Sequence, residues 1–280
     1  MISIIIPAHN EGQVIARTLK AIIAGATLDE FDIIAVCNGC SDDTADVARS
    51  FGSSVRVVET EIASKTHALN IGDAAASAFP RVYVDADVVL TSDAIRQLIH
   101  RLERGDVFAV APTPSVNLTG CSWPVRAFYE IRSLLPSANE GIGGSGVYAL
   151  SEAGRRRFGN FPALIADDGY VRIQFRLEER ETLGSVRSTV FPPKTLRALI
   201  ATKTRAHQGS FELKDLFPKL WQNRGQSNNR ALIRLFRDPR LWFKLVAYCF
   251  VTVLARREAR KRFRGGTVDW ERDDTSRATA

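Results

Sequence analysis

Two aspartates one residue apart, Asp85 and Asp87, end an apolar run in the segment Arg-Val-Tyr-Val-Asp-Ala-Asp. Carboxylates at the end of a buried strand are costly to desolvate unless a cation lies beside them. A divalent metal ion is the cation that this pattern favours. Metals held by only one or two protein carboxylates usually complete their coordination with waters and substrate phosphates. The pair therefore indicates a phosphorylated or nucleotide-linked substrate.

Another polar segment, Pro-Ala-His-Asn-Glu-Gly at 7–12, follows the first apolar run. It lacks the glycine spacing of a dinucleotide-binding or Walker loop, which argues against hydride transfer and ATP hydrolysis. Asn10 and Glu11 are expected to cap the helix that follows. A second polar turn begins at Asn38, and Ser41 or Asp42 in that turn is expected to open a helix.

Apolar runs alternate with amphipathic stretches through the first 111 residues. Strands are predicted at 2–6, 32–37, 55–58, 82–84 and 107–111, and helices at 12–25, 42–51, 66–78 and 92–104. This α/β alternation predicts a mainly parallel sheet with helices on both faces. Because ligands bind at the carboxyl ends of such strands, the segments 7–11, 38–42 and 85–87 should share one edge.

Residues 113–150 are rich in proline, glycine and serine and are predicted to form a long loop. The loop contains Gly-Ile-Gly-Gly-Ser-Gly at 141–146. Such a sequence can approach a ligand with bare backbone.

The order and spacing of four segments resemble the family 2 glycosyltransferases of the GT-A fold. They are Pro-Ala-His-Asn-Glu, Asn-Gly-Cys-Ser-Asp-Asp-Thr, Lys-Thr-His-Ala-Leu-Asn-Ile-Gly at 65–72, and Asp-Ala-Asp. The resemblance covers about residues 1–210. It implies a Rossmann-like domain over 1–212, with a nucleotide-sugar half at 1–112 and an acceptor half at 113–212. A basic helical extension with a polar tail would follow at 213–280.

The resemblance implies a nucleotide site in the first two loops. Its residues would be Pro7, Ala8, Asn10, Glu11, Asn38 and Asp42. Asn38 stands where many members have aspartate, and because an amide both donates and accepts, uracil and guanine are both possible bases. Lys65 lies in the stretch near the nucleotide, where its charge would suit a pyrophosphate. A solvated lysine is the alternative.

In the family the Asp-x-Asp pair binds Mg²⁺ or Mn²⁺ on the donor diphosphate. Asp87 would be the direct metal ligand, and Asp85 would contact the ribose or a metal-bound water. His207 resembles the histidine that completes the metal shell in many GT-A enzymes, a role that needs a neutral imidazole. The alternatives are that the aspartates cap the helix near Ser92 and that His207 is an ordinary surface residue.

The segment Ile-Ala-Asp-Asp-Gly-Tyr resembles the acidic motif of the family. Asp168 would be the catalytic base, with Asp167 beside it. In inverting transfer a carboxylate takes the proton of the acceptor hydroxyl while its oxygen attacks the anomeric carbon. The alternative is a pair of residues that interact with a helix dipole. Gly143, Gly144 and Ser145 would form the acceptor-side loop.

Arg205 lies where family members have a basic or aromatic motif near the diphosphate. It matches the arginine of the Gln-x-x-Arg-Trp pattern of processive members, but Ala206 replaces the tryptophan. A processive synthase would also carry several transmembrane helices. The departure therefore argues against a processive polysaccharide synthase.

Charge is distributed unevenly along the 280 residues. Residues 1–170 carry a formal charge of −6 and residues 171–280 carry +13, which suggests an acidic metal site and a basic surface for anions. The apolar segment 241–255 is followed by arginines and lysines up to 264. It is short for a bilayer span. Two alternatives stay open, a helix packed on the domain and a peripheral contact with anionic lipid.

Four cysteines form no disulfide framework, and the first residues lack a basic leader or cleavage signal, so a cytoplasmic chain is expected. We expect a metal-dependent inverting glycosyltransferase that moves a sugar from a UDP- or GDP-linked donor to a hydroxyl on a sugar, a lipid-linked molecule or a small molecule. One alternative is a sugar nucleotidyltransferase, although its usual Gly-rich loop with Arg and Lys is missing. The other is a non-catalytic protein that binds membrane or nucleic acid, but no nucleic-acid motif accompanies the basic residues.

Overall fold

Seven strands form one sheet in this computed structural model, which describes residues 1–139, 142–225 and 227–265. The strands are β1 Ile2–Ala8, β2 Phe31–Asn38, β3 Arg56–Thr60, β4 Arg81–Val84, β5 Ala109–Val116, β6 Val147–Leu150 and β7 Arg180–Val190. They lie in the order β3-β2-β1-β4-β6-β5-β7. Strand β6 runs antiparallel to both neighbours, and every other pair is parallel.

The helices of the described residues cover this sheet and continue beyond it. They are α1 Ile15–Ile23, α2 Thr44–Arg49, α3 Lys65–Ala75, α4 Ser92–Glu103, α5 Trp123–Ser133, α6 Glu152–Arg155, α7 Asp167–Ile173, α8 Leu196–Leu216, α9 Asn229–Leu235 and α10 Trp242–Gly265. Each strand and helix predicted for the first 111 residues is present.

The central strands are buried on both faces, as expected for parallel strands that lie between helices. Successive side chains of a strand point to opposite faces of the sheet. Ile4 and Ile6 of β1 therefore pack in one core with Leu19 of α1, whereas Ile5 packs in the other core with Leu69 of α3. The predicted α/β architecture with helices on both faces is confirmed.

The prediction of a long loop from 113 to 150 is wrong. Strand β5 continues to Val116, and the region also contains α5 and β6. Helix α5 buries Val125, Phe128 and Ile131, which recur at the spacing of one helix face. This spacing is visible in the sequence, but the prolines, serines and glycines around α5 favoured a loop in the prediction, and β6 with four residues is too short for a clear periodic signal.

The expected capping of the first helix by Asn10 and Glu11 is also wrong. Helix α1 begins at Ile15, and no side chain caps its first turn. Asn10 has a φ angle of 54°, and its Oδ1 accepts a hydrogen bond from the Ser41 N–H at 2.7 Å. Asn10 therefore links the first two polar loops.

The described C-terminal part is helical, as predicted. Helix α8 is continuous across the expected boundary after 212, and the division of the chain there stays a prediction. Helix α10 packs on α5 and α8 and buries Leu245, Tyr248 and Val251, as the packed-helix alternative predicts for one face. The predicted polar tail lies almost wholly outside the described residues. Of the helices within the described ranges, none has the length and apolar character that crossing a membrane requires.

A buried ionic network fixes α3 against β4. The Asp73 carboxylate accepts hydrogen bonds from Tyr83 Oη at 2.5 Å and Arg155 Nε at 2.9 Å, and it pairs with Arg81 Nη1 at 2.6 Å. Burial acts to raise the pKa of Asp73, but these donors lower it below its ordinary value. Because α3 begins at Lys65 and β4 leads into the aspartate pair, the network sets where these groups meet.

Candidate active site

The first two polar loops lie side by side at the carboxyl edge of the sheet. The Gly12 N–H donates to Asp42 Oδ2 at 3.1 Å, and the Glu11 N–H donates to Thr44 Oγ1 at 2.7 Å. Together with the bond from Ser41 to Asn10, these contacts join the loops into one rim. The carboxyl strand ends therefore meet at one edge, as the rule for parallel sheets predicts.

Asn38 is buried at the end of β2, with a relative exposure of 2%. With its amide oriented to satisfy both partners, Nδ2 donates to the Ala8 carbonyl at 2.9 Å and Oδ1 accepts from the Ser64 N–H at 3.1 Å. Both polar atoms of this buried side chain are thus bonded within the protein. In this structure Asn38 holds β1 next to the start of α3.

Lys65 is the cation at the centre of the site. It is the first residue of α3, where the Ser64 side chain accepts the His67 N–H as a helix cap. Its Nζ lies 2.7 Å from Asp85 Oδ1 and 3.0 Å from Asp167 Oδ1. Burial alone would lower the pKa of Lys65, but the two carboxylates raise it above its ordinary value. Lys65 is thus an ion-paired residue and not a solvated lysine.

Asp167 and Asp168 occupy the first turn of α7. Asp167 is buried, and burial together with the neighbouring Asp168 and Asp85 raises its pKa to about 6, although Lys65 acts to lower it. Asp168 is partly exposed, and its Oδ1 accepts from the Gly169 N–H at 2.6 Å. Neither is the residue that precedes the helix, which is Ala166. The helix-dipole explanation leaves the salt bridge between Asp167 and Lys65 unexplained.

The glycine loop closes over these carboxylates. The Gly146 carbonyl accepts a hydrogen bond from the Asp85 N–H at 2.8 Å. Gly146 has a φ of 65°, and a Cβ atom there would lie 2.5 Å from Val88 Cγ2. A Cβ at Gly144 would lie 2.6 Å from Arg132 Nη2. Because side chains do not fit at these positions, glycine allows the loop to approach the site with bare backbone.

The structure gathers the predicted catalytic and acceptor-loop residues around one small cavity. Its lining includes Lys65, Asp85, Gly143, Gly144, Ser145, Asp167 and Asp168. These residues lie on α3, at the end of β4, in the loop before β6 and at the start of α7. The fold thus brings these four segments to one cavity, and the roles predicted for their residues stay predictions.

Asp87 lies beside this cavity and does not line it. The Asp87 carbonyl accepts from Arg17 Nη2 at 3.1 Å, and the Thr18 hydroxyl donates to the Ala86 carbonyl at 2.7 Å. Burial lowers the pKa of Arg17, whereas the charge of Asp87 raises it. Helix α1 thus fixes the turn that carries the aspartate pair.

His207 and Arg205 lie apart from the aspartate pair. His207 lines a second cavity on the far part of α8, where burial and the cations Arg256 and Lys203 lower its pKa. The imidazole is therefore neutral, as a metal ligand must be, but Asp85 does not line that cavity. Arg205 lies near Lys203 and acts with burial and Arg132 to lower the pKa of Lys203 to about 7. The predicted roles of His207 and Arg205 stay predictions.

The site fits a divalent ion that arrives with its own ligands. No group of three or more His, Cys, Asp or Glu side chains within the described ranges is arranged to hold a metal. Asp85 presents carboxylate oxygens at the cavity, with 38% of its side chain exposed. Mg²⁺ is usually bound through one or two carboxylates plus substrate phosphates. The residues fit a metal–diphosphate complex and not a preformed metal cage.

One residue at the site carried no signal in the sequence. Tyr148 of β6 lines the cavity and stacks on Tyr83 with ring centroids 4.7 Å apart. Its buried hydroxyl has no hydrogen-bond partner among the described residues, so it is available to a ligand. The sequence did not reveal the short strand β6 that brings Tyr148 to this position.

Comparison with known proteins identifies the N-terminal part of the chain. Residues 3–156 match the family model described as Glycosyl transferase family 2. A curated relative, 4,4'-diaponeurosporenoate glycosyltransferase of Staphylococcus aureus, is 36% identical over 107 residues, which are 36% of this chain and 28% of the relative. The chain thus spans about 28% of the length of the curated relatives that it matches.

Two solved structures share the fold. The mannosyltransferase PcManGT from Pyrobaculum calidifontis, in complex with GDP-Man and Mn²⁺, has a TM-score of 0.60 at 20% identity and covers 95% of this chain and 76% of its own. Glucosyl-3-phosphoglycerate synthase from Mycobacterium tuberculosis, in complex with UDP, has a TM-score of 0.55 at 22% identity. The match covers 77% of this chain and 79% of the synthase. These likenesses confirm the predicted GT-A fold.

Replacing Lys65 with methionine removes the cation between Asp85 and Asp167. We expect a loss of about 2–3 kcal/mol in the free energy of unfolding near neutral pH, because a buried carboxylate loses its partner while part of the cluster stays hydrated. Without Lys65 the pKa of Asp167 should rise further, so the variant takes up its proton first, and the loss should shrink as the pH falls from neutral toward about 6 and stay small below it. Urea unfolding near neutral pH and below about pH 6 measures how the loss in the free energy of unfolding depends on pH.

The variant Lys65→Arg keeps the charge and is the matched control. It should unfold at nearly the same urea concentration as the unmodified protein. An equal loss in both variants, or a loss that does not depend on pH, would contradict the ion-pair assignment.

Proposed function

Because the chain belongs to glycosyl transferase family 2, we propose that it moves a sugar from a nucleoside diphosphate sugar to an acceptor hydroxyl with inversion at the anomeric carbon. That the chain is a glycosyltransferase follows from its family. The finer proposal is carried by one observation, which is that Lys65, Asp85, Asp167 and Asp168 converge with the glycine loop around one cavity.

Asp168 is the proposed catalytic base. It lines the cavity and is partly exposed, whereas Asp167 is buried and ion-paired with Lys65. The acceptor hydroxyl would pass its proton to the Asp168 carboxylate as its oxygen bonds to the anomeric carbon. The bond from that carbon to the diphosphate oxygen breaks, and the nucleoside diphosphate leaves with the electron pair. Asp167 then acts as a positioning residue that keeps Lys65 in place.

The donor is proposed to bind across the carboxyl edge with its diphosphate near Lys65. Asp85 and Asp87 would hold Mg²⁺ or Mn²⁺ on that diphosphate, and the ion would offset the charge that develops on the leaving group. His207 is left out of this set because it lines the other cavity. The two relatives of known structure contain GDP-Man with Mn²⁺ and UDP, which is consistent with a GDP- or UDP-linked donor.

We propose that the rim formed by the first two loops binds the nucleotide. Its candidate residues are Pro7, Ala8, Asn10, Glu11 and Asp42. Asp42 is exposed, whereas the amide of Asn38 is already bonded within the protein. We therefore assign Asn38 to positioning the rim, and base recognition to the exposed loop groups.

The outer face of α10 supports a proposed contact with an anionic membrane surface. Phe243, Val246 and Phe250 recur along this face and are 80%, 65% and 55% exposed. Farther along the same face the exposed residues are Arg257 and Lys261. An apolar stripe that continues into a basic stripe matches the acyl boundary and headgroups of an anionic bilayer. The acceptor class would then include lipid-linked hydroxyls.

A thermal-shift panel of UDP, GDP, TDP and their sugars, with and without Mn²⁺, tests the donor proposal. One nucleoside diphosphate should stabilise the protein in a metal-dependent way, whereas Mn²⁺ alone should shift the melting temperature little because the site lacks a protein cage. The variant Asp87→Asn should lose the metal-dependent shift. If no nucleotide stabilises the protein, the donor proposal is wrong. Release of pyrophosphate instead of nucleoside diphosphate would favour a nucleotidyltransferase.

The variant Asp168→Asn tests the proposed base. Transfer should fall by roughly 10²–10⁴-fold because the acceptor proton loses its receiver, while donor binding is retained. The matched control is Asp93→Asn, since Asp93 also lies in the first turn of a helix but is distant in sequence and exposed. Initial rates with the donor identified by the panel provide the measurement. Unchanged turnover in Asp168→Asn would remove it from this role.

Sedimentation with lipid vesicles tests the membrane contact. The protein should bind phosphatidylglycerol-containing vesicles and not neutral phosphatidylcholine vesicles, and salt should weaken the binding. The double variant Phe243→Ser with Phe250→Ser should bind about tenfold less, because it removes two apolar groups from the stripe. Leu28→Ser is the control, since Leu28 is 92% exposed elsewhere. Equal binding to neutral vesicles, or equal effects of both sets of changes, would contradict the proposal.

A further inference from the structure

A second and larger cavity lies between α8, the turn Leu220–Arg224 and the end of α10. Its volume is about 750 Å³. Three aromatic side chains, Phe211, Trp221 and Phe263, form part of its wall. The rings of Phe211 and Phe263 lie 6.1 Å apart, and they join α8 to α10 across the cavity. The wall therefore offers apolar surface to a ligand of moderate size.

Cations surround this apolar wall. They are Lys214, Arg224, Arg256, Arg260 and Arg264, and within the described ranges Asp215 is the one carboxylate that lines the cavity with them. Among the described residues none of these five cations makes an ion pair. Cations grouped without counterions repel one another and attract an anion. Arginine side chains in particular match the oxygens of phosphate.

We propose that this cavity binds an amphiphilic phosphate ester, with its phosphate among the arginines of α10 and its apolar part against Phe211, Trp221 and Phe263. Neutral His207 would add a hydrogen-bonding group at the wall. The proposal goes beyond the proposed transfer reaction, because none of the described residues lines both cavities.

Helix α8 connects this second cavity with the catalytic one. His207 and Lys214 of α8 line the second cavity. Another face of the helix packs on the segment before Asp167, where the Ile165 N–H donates to Glu212 Oε2 at 3.0 Å. A Cβ at Gly209 would lie 2.7 Å from Ala166 Cβ, which shows how closely the two elements approach. A ligand held on one side of α8 therefore lies one helix away from the catalytic carboxylates.

Calorimetric titration of the full chain with dodecyl phosphate, kept below its micelle concentration, tests the proposal. The titration is done with and without saturating nucleoside diphosphate and Mn²⁺, so that it remains informative if the transfer proposal fails. Binding should survive saturation of the catalytic site. Arg256→Glu should weaken it by about tenfold or more, because a charge-assisted hydrogen bond is replaced by repulsion. Arg104→Glu makes the same charge change at an exposed position at the end of α4, outside both the cavity and the α10 face, and should leave affinity within about twofold.

The neutral detergent dodecyl maltoside and inorganic pyrophosphate separate the two parts of the proposal. Each should bind at least about tenfold more weakly than dodecyl phosphate, since each lacks one of the two recognised groups. Equal binding of the maltoside would overturn the phosphate site, and equal binding of pyrophosphate would overturn the apolar site. Equal weakening by Arg256→Glu and Arg104→Glu, or loss of binding when the catalytic site is saturated, would place the ligand elsewhere.

Discussion

The salt bridges of Lys65 to Asp85 and Asp167 hold the candidate active site together. The three residues come from α3, the end of β4 and the start of α7, which are far apart in the sequence. Without the ammonium group, two carboxylates would face each other where burial already raises the pKa of one of them. The lysine therefore joins the proposed donor half of the domain to the proposed acceptor half. Asp73 helps to keep Lys65 in position, because it fixes the other end of α3 to the sheet.

This arrangement of charges determines how strongly the site would attract the proposed donor. In the free protein the charge of Lys65 is already offset by two carboxylates, so a diphosphate gains little from the lysine alone. A diphosphate that brings a divalent ion adds positive charge near Asp85 and can share Lys65 with Asp167. If the proposed function holds, the site therefore has a physical reason to discriminate against a metal-free nucleotide, although the described residues supply few metal ligands of their own.

Much of the site could be predicted because its residues lie at the ends of regular elements. Asp85 follows a short buried strand, and Lys65 begins a helix, so their shared edge follows from the α/β alternation. Lys65 as a salt-bridge partner, Tyr148 as a cavity residue and the burial of Asn38 depend on side-chain packing between distant segments. A pattern of residue types does not contain that information. Helix α5 and strand β6 were missed because both are short and flanked by glycine, serine or proline.

Strand β6 has a consequence for how the chain folds during synthesis. It is the antiparallel strand that fills the gap between β4 and β5, and it pairs with both. While residues 147–150 are still in the ribosome, β4 exposes one row of unpaired backbone N–H and C=O groups. Open edges of this kind recruit strands from other chains. The first half of the domain is thus most prone to aggregation shortly before β6 emerges, and slow translation across α5 would lengthen that exposure.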